Sequence, residues 1–293
     1  MDDFLTIRTT EAIAKIALYG GCICAYSLSD GFDILRPLQN NHAVDPLMAS
    51  SFALVPYSNR IENGALHFQG ETHQLPLNFG EHPHSIHGVG WQSLWHVTAQ
   101  TENEVILELP YSGDDWPFAF LARQTFTLSG SALVHKIELK NISGTSMPIG
   151  LGMHPYFPRH GNAVLTTNAE EVWVNDDTCL PIEKISTPDN WNFGNGRNVD
   201  TLSCDNLFEP WQGSARISWP DNKKSVDLSA SEDLDRLVVY APTGEDFFCV
   251  EPVSHITNAF NLSENGMPLK DSGMRVLRDS ESWSVWMQIT PIS

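Results

Sequence analysis

Basic side chains are scarce in this sequence: 17 Lys and Arg stand against 36 Asp and Glu, a formal net charge of −19 at pH 7. Nucleic acids and anionic membranes are held by clustered Lys and Arg, so neither is expected as a partner. Highly phosphorylated substrates are disfavoured less strongly, since two or three local arginines can override a global field. Cysteine is scarce as well. The five residues Cys22, Cys24, Cys179, Cys204 and Cys249 include no C-x-x-C pair. An odd count without a signal peptide reads as reduced thiols in a cytosolic protein. The opening stretch MDDFLTIRTTEA has neither a basic n-region nor an apolar h-region. No apolar run approaches the length that spans a bilayer. These absences lead to the expectation of a soluble, cytoplasmic protein. Chemistry is narrowed in the same way. There is no G-x-S-x-G, no cysteine in a motif with a histidine and no glycine-rich phosphate loop. Nucleophilic catalysis is therefore weakly supported, and nucleotide cofactors have no binding loop. No stretch holds a helical stripe for three turns.

What the chain has in quantity is strand pattern. Its 293 residues, 41% hydrophobic, suffice for a large core. Residues 13–19 and 22–28 read as short strands around Gly20-Gly21, and 105–109 as a sheet strand. The clearest meander joins 120–128 and 132–140 through Ser129-Gly130-Ser131. In its second strand Leu133, Ile137 and Leu139 fall on one face, and Lys136, Glu138 and Lys140 on the other. Residues 147–153 lead into His154-Pro155-Tyr156-Phe157. Residues 155–209 look looser, loops with short strands such as 171–174. Further strands are expected at 215–219, 236–240, 247–250 and 282–290. With no repeat or linker, the expectation is one all-β domain over 1–293, a large antiparallel β-sandwich.

Three stretches concentrate residues able to carry chemistry. In 56–91, Asn59-Arg60 precede a hairpin, with 65–68 and 72–75 flanking Gln69-Gly70-Glu71, and the stretch closes on a loop holding His82, His84 and His87. The second is Gly150-Leu151-Gly152-Met153-His154. In the third, Glu251 follows directly on a strongly apolar strand, where partial desolvation would raise its pKa and make it a better base. Asp205 is a lone acid among apolar neighbours. Each has a plainer alternative: His154 a backbone-bonded core histidine, Glu251 and Arg60 structural ion pairs, Asp205 a turn cap. The histidine loop, alone or with His154, permits zinc, although H-x-H-x-x-H is not among the strong metal signatures. Taken together the residues form an acid–base kit, with Trp91, Trp116, Tyr156 and Phe157 available to stack on a sugar ring.

In order, these motifs resemble the aldose 1-epimerase (galactose mutarotase) family. The resemblance rests on Asn59-Arg60, Asn78-Phe79-Gly80, Ile86-His87-Gly88, Trp116-Pro117, His154-Pro155-Tyr156-Phe157, Asp205-Asn206-Leu207-Phe208 and Glu251-Pro252. It implies a twisted antiparallel β-sandwich, no cofactor, no metal, and interconversion of the α and β anomers of a free aldohexose such as galactose or glucose. By position it implies Glu251 as general base, His154 as general acid, His87, Arg60 and Asn59 as sugar-binding groups and Asp205 as a partner of ring hydroxyls. Met153 replaces the family's usual asparagine, Pro155 follows the histidine, and the region after Glu251 differs, as in a bacterial subgroup of open sugar preference. A monosaccharide is the implied partner, and the protein a monomer or homodimer. Two rivals remain: a hexose-6-phosphate mutarotase using Arg123 or Arg159 at the rim, and a non-catalytic carbohydrate-binding protein.

Overall fold

Alternation along the central meander sets the pattern for the molecule. In a computed structural model, which describes residues 4–39 and 44–292, Phe120–Ser129 and Ala132–Asn141 pair in unbroken register around Gly130. Leu133, Ile137 and Leu139 are buried while Lys136 and Lys140 face solvent, as alternation requires. His135 shares the buried face, where its Nε2 meets Gln124 Oε1 at 2.8 Å. The first three residues of the N-terminal stretch lie outside the described residues.

Around this meander grows a long antiparallel sheet. From Ala132–Asn141 it continues through Ser282–Ile292, Lys224–Ala230, Cys204–Trp219, Arg236–Ala241 and Phe247–Val253, ending on the short strands Gly152–Met153 and Ala53–Leu54. The N-terminal sheet of Phe4–Arg8, Ala12–Ala17, Ile23–Leu28 and Asp33–Leu35 packs over Phe120–Ser129. The Tyr26 hydroxyl ties the two layers by donating to the Ser131 carbonyl. One contiguous apolar cluster fills the space between. The all-β, antiparallel sandwich expected from the sequence is what the chain forms.

Two expectations need correction. The supposedly loose 155–209 region contains Val164–Asn175 and the start of Cys204–Trp219, a strand of 16 residues. Pro210 and Gly213 hid that strand. Its first part pairs with Arg236–Ala241 and its last part with Lys224–Ala230, so the proline sits where the strand changes neighbours and no ladder donor is required. The early hairpin pairs Ala65–Phe68 with Glu71–Gln74 across a two-residue turn, Gln69-Gly70, both at positive φ. That is one residue shorter than expected, because Gln69 itself takes the left-handed conformation. The helices are short, Ala259–Glu264 and Leu269–Ser272.

Candidate active site

Strand register, more than any local motif, brings the candidate residues together. Gly152 pairs with Val253, and Tyr156 with Cys249. Carrying that register across the gap sets His154 opposite Glu251. The ladder opens here because Pro155 and Pro252, one on each strand, offer no amide donor. His154 Nε2 stands 3.4 Å from Glu251 Oε1, with both side chains buried. Glu251 therefore lies within Phe247–Val253 rather than beyond its end, opposite Val238. On the neighbouring strands Cys249 pairs with Tyr240, and Tyr240 with Asp205. Asp205, Val238, Tyr240 and Glu251 share one face and line one cavity of about 240 Å³. Asp205 caps no turn; it is part of the sheet.

A second register does the same for the other half of the kit. Arg60 pairs with Ile86, and the Asn59 N–H donates to His87 Nδ1 at 3.1 Å while the His87 N–H donates to the Asn59 carbonyl at 2.9 Å. Since His87 Nδ1 accepts, this hydrogen bonding assigns the neutral ring proton to Nε2, the nitrogen free to donate to a ligand. Both residues are left-handed, and Gly88 follows at φ 71° with a Cβ position only 2.1 Å from the Val55 carbonyl oxygen. Only glycine fits there. Arg60 donates to Asn59 Oδ1 at 2.9 Å and reaches Asp205 Oδ2 at 3.5 Å, so it bridges structurally and lines the cavity as well.

Burial decides the charge states. His154 lies between Phe52 and Tyr156, with ring centroids 4.7 and 4.6 Å away, and His87 meets it edge-on at 5.3 Å. Desolvation pulls its pKa down to about 3, with the Arg36 cation adding to the effect. Glu251 is pushed well above the usual carboxylate range, first by burial and then by Asp205, against the opposing pull of Arg60. Desolvation, with His154 and Arg60 beside it, also holds His87 well below the ordinary range. The Glu251–His154 pair is thus built to hold a single proton rather than two or none.

Cavity contents differ from the sequence reading in several places. Tyr156 lines the cavity, but Trp91, Trp116 and Phe157 are buried in the core. The aromatics that do face it besides Tyr156 are Phe79, Tyr240 and Phe247. Counting back from Glu251 in steps of two would have found Phe247; Tyr240 is visible only once the strand partners are known. Among the described residues His82, His84 and His87 do not gather into a three-ligand cluster. His84 accepts from the Asn63 N–H and bonds the Thr178 hydroxyl, while the neutral His82 ring has the His84 N–H and Arg60 Nε each at 3.3 Å and accepts from one of them. Both His84 ring nitrogens are thus engaged within the protein. Burial first, and then Arg60, lowers the pKa of His82 and of His84. Among the described residues the ligand cluster that does exist is His154, Cys249 and Glu251, whose donor atoms lie within 4.8 Å of one another. Arg123 and Arg159 do not line the cavity. Arg123 pairs with Glu108 on the open sheet face, and Arg159 is consumed by the Val199, Phe247 and Pro242 carbonyls. His255 is structural: it accepts from the Ser58 N–H and donates to the Ile256 carbonyl.

Known proteins share this arrangement of chain. The Escherichia coli K12 protein YphB, itself uncharacterised, is 26% identical over 245 residues, covering 81% of this chain and 83% of its own. Human galactose mutarotase is 27% identical over 135 residues, 45% of this chain and 38% of that one. A galactose mutarotase-like protein from Clostridium acetobutylicum superposes with a TM-score of 0.88 at 21% identity, over 98% of this chain and 94% of the other. The aldose 1-epimerase family model matches residues 3–290, and with that span, the strand order and the cavity at its sheet's end, the chain belongs to the aldose 1-epimerase family.

Proposed function

We propose that the cavity is a mutarotase site acting on a free aldohexose. The observation that carries this reading is the buried His154–Glu251 pair, 3.4 Å apart on opposing strands, opening into a cavity that also holds Arg60, His87 and Asp205. Glu251 takes the proton of the C1 hydroxyl as His154 delivers one to the ring oxygen. The C1–O5 bond breaks and the aldehyde forms. Rotation about C1–C2 and closure on the other face, with the proton transfers reversed, yields the other anomer.

The proton transfers run from carboxylate and imidazolium, the form of the pair that burial disfavours in the free protein, to carboxylic acid and neutral imidazole. Burial favours the second form on both groups, which stabilises the state that meets the open-chain sugar. The Arg60 cation favours the Glu251 carboxylate and so supports the starting form. Each proton transfer by a positioned group contributes ~10²–10⁴-fold. His87 Nε2–H and the Arg60 guanidinium donate to sugar oxygens, and the Asp205 carboxylate accepts from hydroxyls. A cavity of about 240 Å³ suits one monosaccharide, being smaller than the ~300–1,000 Å³ of drug-sized sites.

A phosphorylated substrate lacks support from this site, since Arg123 and Arg159 are both engaged elsewhere. A pure binding protein would gain nothing from a buried acid–base pair. The test is polarimetry of freshly dissolved α-D-galactose and α-D-glucose with and without protein. Faster approach to the same final rotation supports the proposal and ranks the two sugars. An unchanged rate for both, in protein that binds them, leaves a binding module.

A further inference from the structure

We propose that His154, Cys249 and Glu251 form a Zn²⁺ site whose fourth position opens to the sugar cavity, and that zinc bound there switches the acid–base pair off. The inhibitory half of this statement rests on the mutarotase reading; the binding half does not. Cys249 and Glu251 stand two residues apart on one face of Phe247–Val253, and His154 lies across the interrupted ladder from Glu251. The donor atoms Nε2, Sγ and a carboxylate oxygen all fall within 4.8 Å of one another. Bond lengths of about 2.0 Å to nitrogen and oxygen and about 2.3 Å to sulfur put tetrahedral ligands roughly 3.3–3.5 Å apart. His154 and Glu251, at 3.4 Å, already have that spacing. The 4.8 Å bound leaves Cys249 at most about 1.3 Å short of that spacing.

Chemistry selects the ion. A thiolate, a carboxylate and a neutral imidazole together offer two negative charges, so a divalent cation leaves the buried site neutral. The sulfur ligand favours zinc over magnesium or calcium. Burial keeps the empty site's thiol and carboxyl protonated, and a dication displaces both protons as it binds. The acidic chain, at −19, raises the local concentration of cations, while Arg60, facing Glu251, opposes entry. Resident zinc sites anchor the far nitrogen of each histidine ligand to an acceptor. His154 Nδ1 is buried and has no hydrogen-bond partner among the described residues. That missing second contact marks the site as a reversible, inhibitory one and not a permanent metal centre.

Cys249 takes no part in the proton transfers, which makes Cys249→Ser a clean probe. Cobalt(II) added to the wild-type protein should produce a thiolate-to-metal charge-transfer band in the near ultraviolet, absent in the variant. Zinc should slow mutarotation by the wild type, EDTA should restore it, and Cys249→Ser should keep its rate while needing at least about tenfold more zinc for the same inhibition. A folded wild type that shows no cobalt–thiolate band overturns the site. So does a variant with equal zinc affinity, which would place the metal on surface histidines. If the protein proves to have no mutarotase activity, the cobalt band and zinc-dependent melting still decide the site independently.

Discussion

Glu251→Gln removes the proposed base while keeping the shape of the side chain of a residue that is only 3% exposed. Loss of one positioned proton-transfer group lowers kcat by ~10²–10⁴-fold. At 1.36 kcal/mol per tenfold, this is about 2.7–5.4 kcal/mol of barrier. Stability should move in another direction. The folded-state pKa of Glu251 is raised, so the stability this proton provides is fully present below about pH 4.3 and is lost as pH rises through the folded value. Glutamine is neutral throughout and escapes that loss. The variant should match the wild type near pH 4 and equal or exceed it at about pH 8. Were Glu251 instead the structural counter-ion of a charged His154, its removal would strand a buried cation at a cost of ~3–5 kcal/mol. In a chain of this length that lowers the melting temperature by roughly 5–8 °C. Initial polarimetric rates and melts at both pH values separate the two accounts. Turnover within about threefold of wild type would take Glu251 out of the mechanism, and a large loss of stability at the higher pH would make it a structural ion.

Other expectations follow from the same geometry. Asp205→Asn removes a negative charge that helps to raise the Glu251 pKa, so the alkaline limb of the rate–pH profile should move to lower pH and KM should rise; an unmoved limb refutes the coupling. Gly88→Ala forces a left-handed backbone and a contact with the Val55 carbonyl, and should destabilise by at least about 2 kcal/mol in chemical denaturation, with a smaller loss counting against the packing. Trp116→Ala should cost ~3–5 kcal/mol, yet leave KM unchanged at temperatures where the variant is folded, because Trp116 packs on Tyr57 and Phe260 and not on the cavity. A raised KM there would return Trp116 to the sugar site.

Period-two alternation from Leu133 to Leu139 is a local property, and it identified the meander because a strand's two faces see different solvents whatever the strand pairs with. The order of Asn59-Arg60, His87-Gly88, His154 and Glu251-Pro252 likewise pointed to the family, and singled out the residues proposed as acid and base, without coordinates. Where the pattern was broken, by Pro210 and Gly213, a long strand passed for loop, since the sequence does not show that the strand changes partners at that point. Trp116 and Tyr156 look equally fit to stack on a sugar when only residue type is known. Burial separates them, and burial is set by packing from distant segments. The meeting of His154 with Glu251 depends on a register carried across two prolines, and Cys249 joins them only because alternation places it on the same face. Composition and short-range pattern, then, decided fold class and the cast of polar residues. Only the pairing of strands far apart in the chain decided which of those residues share a cavity, and so which protons they can hold.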